Sequence, residues 1–258
     1  MNSAHWSIEL STSLFLGILL CLEIGYRIGT RNLQKHSAGA HEGIGVIEAA
    51  VFALLGLLLG FSFAGGTSRL DTKRQLAVQE ANAIGSAYLR LDELPAGDQP
   101  DMRRLFREYL DERLGEDQAP SERQRVEPTE TRAAELQQEI WSRAVAATRG
   151  DPTQNAARLL LPALNEMIDI STTRTIAMRT HLPSLIFVLL AGVVLISGLL
   201  AGYAMAKRRN RSWLHLVVYA AVIAITVYAV LDLEYPRFGL IRLDAADQAL
   251  RQLRDSIR

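Results

Sequence analysis

The sequence predicts an all-α polytopic membrane protein, with four transmembrane helices in two hairpins and a helical extramembrane region between them. Three observations predict it. Four stretches of roughly 20 residues, the length that spans a bilayer core, carry almost no charge. Charged residues crowd instead between the second and third stretch. In that charged region apolar residues recur at spacings of three and four, with no strand-like alternation.

The first span runs from Ile8 to Tyr26, with Trp6 and Tyr26 as interface anchors. It has no Lys or Arg ahead of it, so it reads as a retained helix rather than a cleaved signal. The second runs from Ile44 to Ala64, the third from Leu182 to Ala206 and the fourth from Trp213 to Leu233. The expected division is 1–66 for the first hairpin, 67–180 for the extramembrane helices, 181–234 for the second hairpin and 235–258 for an amphipathic tail.

Both hairpin loops are basic, with Arg27, Arg31 and Lys35 in one and Lys207, Arg208, Arg209 and Arg211 in the other. Short basic loops stay in the cytoplasm. That places the soluble helices and both termini outside, in the periplasm of a bacterial inner membrane. Arg69, Lys73 and Arg74, directly after the second span, oppose this orientation.

In the soluble region Leu70, Ala77, Ala81, Ile84, Ala87, Tyr88 and Leu91 form one stripe, which stops at Pro95. Met102, Leu105, Phe106, Tyr109 and Leu110 form a second, followed by an expected polar loop from Gly115 to Pro128. Ala133, Gln137, Ile140, Trp141, Ala144 and Val145 form a third. A fourth helix, with Leu160, Leu164, Met167 and Ile168 on its apolar face, is expected to run from near Asn155 into the third span. Pro162 lies in its early turns, and Pro183 can kink it. The tail stripe of Leu243, Ala246, Leu250, Leu253 and Ile257 must dock on this helical body or on a neighbouring subunit, because so short a helix is unstable alone.

No phosphate-binding loop, dinucleotide fingerprint, zinc-ligand set or nucleophile elbow is present, so no enzyme, metal or cofactor is expected. His36 and His41, with Glu42, form a polar loop before they form a metal site. Balanced charge, with 28 basic and 28 acidic residues, gives nucleic acid no reason to bind. The lone Cys21 excludes an intrachain disulfide and reads as packing.

Gly56 with Gly60, and Gly198 with Gly202, are spaced for close helix approach, either within the chain or between subunits. Glu23, Glu48 and His215 would share one membrane level in a hairpin topology. They either reach the headgroups or form a carboxylate–imidazole cluster that relays protons or lines an ion path. The main charged constellation is Glu80, Arg90 and Asp92 with Arg174, Asp232 and Arg237. It is expected where the soluble helices join the bundle, as a structural ion-pair network or an anion-attracting vestibule.

Two segments, EANAIGSAYLRLDELP at 80–95 and DLEYPRFGLIRLD at 232–244, resemble the bacterial bestrophin-like membrane proteins, a domain family of unknown function. The order of hairpin, soluble helices, hairpin and tail matches as well, so the resemblance covers most of the chain. It implies a link to bestrophins, which are pentameric anion channels with a similar order of elements. Bestrophins keep their soluble helices in the cytoplasm, opposite to the side the loop charges favour here. Phe52, Phe61 and Phe63 do not reproduce the aromatic pore-neck spacing, so no pore residue is carried over. Two functions are therefore expected in competition. One is a homo-oligomeric channel or transport protein for inorganic anions. The other is a non-transporting scaffold or sensor acting through its helical domain, which the lack of a long polar stripe in the spans favours.

Overall fold

The computed structural model describes residues 3–35, 44–118, 123–149, 154–206, 213–235, 241 and 244–257. Among them every regular element is helical. The helices are α1 (Ser3–Lys35), α2 (Ile44–Leu89), α3 (Gln99–Gln118), α4 (Arg123–Thr148), α5 (Asn155–Arg179), α6 (Ser184–Met205), α7 (Trp213–Glu234) and α8 (Asp244–Ser256). Four segments, in α1, α2, α6 and α7, are long and apolar enough to cross a membrane.

The chain divides into two compact units, 1–70 with 181–241 and 71–180 with 242–258. In the first unit α1 packs along α6 and α7. Its core holds Ile18, Leu22, Leu55, Leu190, Val194, Leu216, Ala220 and Leu231. Lipid exerts no hydrophobic drive between such helices, so close backbone approach must supply the contact. The glycines of α1 and α6 provide it. A Cβ on Gly25 would fall 1.9 Å from the Leu199 carbonyl oxygen, and one on Gly29 2.8 Å from that of Tyr203. A polar clasp adds to this, with the Ser197 and Tyr219 hydroxyls 2.9 Å apart. The Phe52 ring of α2 meets Tyr219 edge-on.

In the second unit the periodic stripes meet in one core, with Tyr109, Phe106, Leu110, Leu136, Ile140, Leu160 and Leu164 fully buried. α2 ends in a 3-10 turn at Arg90–Glu93. Leu94 is then extended at ψ 154°, because the ring of Pro95 excludes the helical conformation at the residue before it.

Two boundaries differ from the sequence expectation. α5 does not continue into the third span. It stops at Arg179, and α6 begins at Ser184, after Thr180, His181, Leu182 and Pro183. Pro183 supplies the reason, since it has no amide hydrogen and disfavours helix at Leu182. The expected loop from Gly115 to Pro128 is mostly helix. α3 runs through Gly115 to Gln118, and α4 contains Pro128. The Glu, Gln and Arg residues there are good helix formers, so their polarity does not mark a turn.

Candidate functional site

Within the second unit the charged residues singled out in the sequence take different partners. In the second unit Glu80 of α2 lies between Arg113 of α3 and Arg174 of α5. Its side chain is 0% exposed, and those of Arg113 and Arg174 are 5% and 3% exposed. Arg113 Nε donates to Glu80 Oε1 at 2.7 Å, and Arg174 Nη1 donates to Oε2 at 2.5 Å. Burial alone would raise the Glu80 carboxyl, but the two guanidiniums outweigh it and hold the group below the usual carboxylate range. Beside them the buried Tyr109 hydroxyl accepts a hydrogen bond from Gln137 Nε2 at 2.9 Å. Burial pushes the Tyr109 phenol up.

Arg90 and Asp92 are not part of this triad. Arg90 turns back on its own helix and donates to the Ser86 carbonyl at 3.1 Å. Asp92 is 67% exposed and pairs with Arg103. Arg103 in turn lies over the Tyr88 ring and donates to its hydroxyl at 3.2 Å.

In the first unit the end of α7 carries two buried carboxylates. Asp232 Oδ2 accepts the Ile241 amide at 2.9 Å. Glu234 Oε2 accepts Arg69 Nε at 3.0 Å and Nη2 at 2.7 Å. Its other oxygen, Oε1, accepts the Leu182 amide at 2.5 Å and lies 3.8 Å from His181 Nδ1. Charge-assisted bonds of this number make a carboxylate at 2% exposure tolerable. Arg237 and the His36–His41 loop lie outside the described residues.

Sequence reasoning missed Arg113, Arg69 and His181. A signal existed for Arg113, because it extends the buried stripe of Met102, Leu105, Phe106 and Tyr109 by one turn. A charge on an apolar stripe needs a buried partner.

Of the polar groups expected within the spans, Glu23 pairs along its own helix with Arg27 Nε at 2.7 Å. Glu48 is half-buried on α2, and His215 is exposed in the first turn of α7. The two glycine pairs separate sharply. Gly198 and Gly202 face α1, where a Cβ on Gly202 would meet the Leu22 carbonyl oxygen at 2.0 Å. Gly56 and Gly60 are exposed, and a Cβ on either would meet nothing within 4 Å. Cys21 packs beside Gly198. Among the described residues no group of His, Cys, Asp or Glu is arranged to hold a metal ion.

Comparison with known proteins agrees with this architecture. A bacterial bestrophin homologue from Klebsiella pneumoniae carrying a point mutation has a similar structure. The TM-score is 0.66 at 14% identity, covering 96% of this chain and 98% of that one. A point mutant described as a membrane protein gives a TM-score of 0.65 at 14% identity, covering 95% of this chain and 98% of that one. A further Klebsiella pneumoniae bestrophin homologue gives 0.62 at 15%, covering 94% and 97%. No curated protein matches the sequence. The Bestrophin-like domain matches residues 15–247, and with nearly the whole chain inside that match this membrane protein belongs to the Bestrophin-like family.

Proposed function

We propose that the protein is a homo-oligomeric channel for inorganic anions in the bacterial inner membrane, with two transmembrane hairpins and an extramembrane helical body. The observation that carries this reading is the uncovered face of α2. Gly25 and Gly29 of α1 and Gly198 and Gly202 of α6 are consumed by contacts within the chain, whereas a Cβ on Gly56 or Gly60 would meet nothing within 4 Å. Phe61 and Phe63 on the same helix are exposed as well. A small-residue face of this kind suits close approach of a second copy. Membership of a Bestrophin-like family and the fold shared with bestrophin homologues support the channel class.

The test is particle mass in detergent, followed by chloride flux in liposomes reconstituted with the pure protein. An oligomer with chloride flux is expected, and Gly56→Leu should alter both. An oligomer that passes no ion would instead favour the scaffold or sensor reading, in which the helical body engages a partner.

A further inference from the structure

The chain passes between its two compact units three times, at Leu70–Asp71, Thr180–His181 and Ile241–Arg242. On the membrane-helix side, each passage is held by the last turn of α7. Arg69, one residue before the first passage, forks onto Glu234 Oε2. Leu182, one residue after the second, donates its amide to Glu234 Oε1. Ile241, at the third, donates its amide to Asp232. Two carboxylates two residues apart thus fasten all three connections of the first unit.

One member of this clamp is a histidine. His181 opens the second passage, in the non-helical link between α5 and α6. Its imidazole stacks on the Tyr235 ring with centroids 4.8 Å apart. Its Nδ1 lies 3.8 Å from Glu234 Oε1. The side chain is 37% exposed, so protons reach it, while Glu234 is 2% exposed.

Glu234 of α7 and the Tyr235 ring that follows it lie against His181, Arg69 of α2 binds the same carboxylate, and Arg179 lies two residues before His181 in the chain. Glu234 favours the imidazolium. Arg69 opposes it but is already bound to the other carboxylate oxygen. Histidine is the side chain whose ordinary pKa, about 6.5, lies in the physiological range. Charging it converts a loose contact into an ion pair with a desolvated partner.

We propose that the end of α7 is a proton-sensitive clamp, in which protonation of His181 adds a second cation to Glu234 and tightens the α5–α6 connection. The effect has a definite sign. The link is tighter below the histidine range and looser above it. The working window is therefore pH 5.5–7.5, about one unit either side of an ordinary histidine. The proposal does not depend on transport. If the protein is a channel, the clamp makes the coupling between its helical body and its spans depend on pH on that side of the membrane.

Hydrogen–deuterium exchange on the full-length protein in detergent micelles tests this directly, because the Leu182 amide is itself a clamp bond. After correction for intrinsic exchange rates, protection of residues 181–186 should rise about three- to fivefold between pH 7.5 and 5.5, the scale of a partly exposed ion pair. His181→Gln keeps the size and a hydrogen-bonding group but does not titrate, and it should abolish the rise. His181→Asn serves as the second variant if the first folds poorly. His215→Gln, at a histidine outside the clamp, should leave the rise intact. Equal protection at both pH values, a rise that survives both His181 substitutions, or a rise lost in His215→Gln would each overturn the proposal. Because the readout is local protection, a protein that passes no anion leaves the clamp standing.

Discussion

Gly202 of α6 rests on the backbone of Leu22 in α1, so closely that a Cβ added to the glycine would lie 2.0 Å from the Leu22 carbonyl oxygen. Gly25 makes the reciprocal approach to Leu199. Backbone cannot swing aside as a side-chain tip can. Gly202→Val should therefore force the two helices apart at a cost of about 1–3 kcal/mol or more. A fall in melting temperature in detergent of roughly 2–4 °C per kcal/mol is expected. Gly56→Ala and Gly60→Ala add a methyl that meets nothing within the chain, so they should change the packing within one chain by no more than about 0.5 kcal/mol. If all three substitutions melt alike, the α1–α6 contact is not what the glycines serve.

Among the described residues Glu80 is the most deeply buried carboxylate of the second unit, with two arginines on its oxygens. Glu80→Gln leaves both guanidiniums buried against a neutral amide. Breaking a buried pair in this way costs about 3–5 kcal/mol, measurable as reduced thermal stability. A melting temperature equal to wild type would remove the triad from any structural role.

The same carboxylate sets an acid limit. Its pKa is held below the ordinary value, so its contribution to stability is present above the unfolded-state pKa of about 4.3. That contribution is lost as pH falls through the lower folded-state value. The stability gap between wild type and Glu80→Gln should be constant from pH 7 to pH 5 and shrink progressively below about pH 4. A gap that holds steady through acid would show that Glu80 contributes packing rather than charge.

The tail helix α8 folds back on its own unit. Leu250 is 0% exposed in the common core. Arg254 forks onto Asp111 of α3 with Nε at 2.5 Å and Nη2 at 3.2 Å, and Leu253 touches the Gly85 face of α2. Leu250→Ala should cost about 2–5 kcal/mol as a buried large-to-small change. Deleting the residues after Asp244 should lower the melting temperature and leave the particle size in gel filtration unchanged. A smaller particle would mean that the tail also bridges subunits.

Membrane orientation can be read by chemistry. From the charge of the two basic loops, Ser37 and Ser212 are expected in the cytoplasm. Cysteines introduced there into a Cys21→Ser background should resist a membrane-impermeant thiol reagent in intact cells, and a cysteine at Ser121 should react. The reverse pattern would put the helical body in the cytoplasm, the side on which bestrophins carry theirs.

The sequence by itself determined the helices. Runs of about 20 uncharged residues admit few alternatives to apolar helices in lipid, and stripes at three and four marked the buried faces of α2, α3, α4 and α5 before any packing was known. Pro95 marked a true stop. Polarity misled at Gly115–Pro128, and Pro183 ended a helix that was expected to run on. Partners were decided only in three dimensions. Grouping Arg90 and Asp92 with Glu80 followed their nearness in sequence, but Arg90 points to Ser86 and Asp92 to Arg103. The carboxylate of Glu80 is met by arginines 33 and 94 residues away. The glycines behave in the same manner. Gly56–Gly60 and Gly198–Gly202 share one spacing, yet only the second is filled within the chain, and Gly25 and Gly29, which complete that contact, were not singled out. Periodicity is a property of a single helix and is visible along the chain. A pairing depends on where two helices cross and how each is rotated, and that is settled by packing many residues distant in sequence.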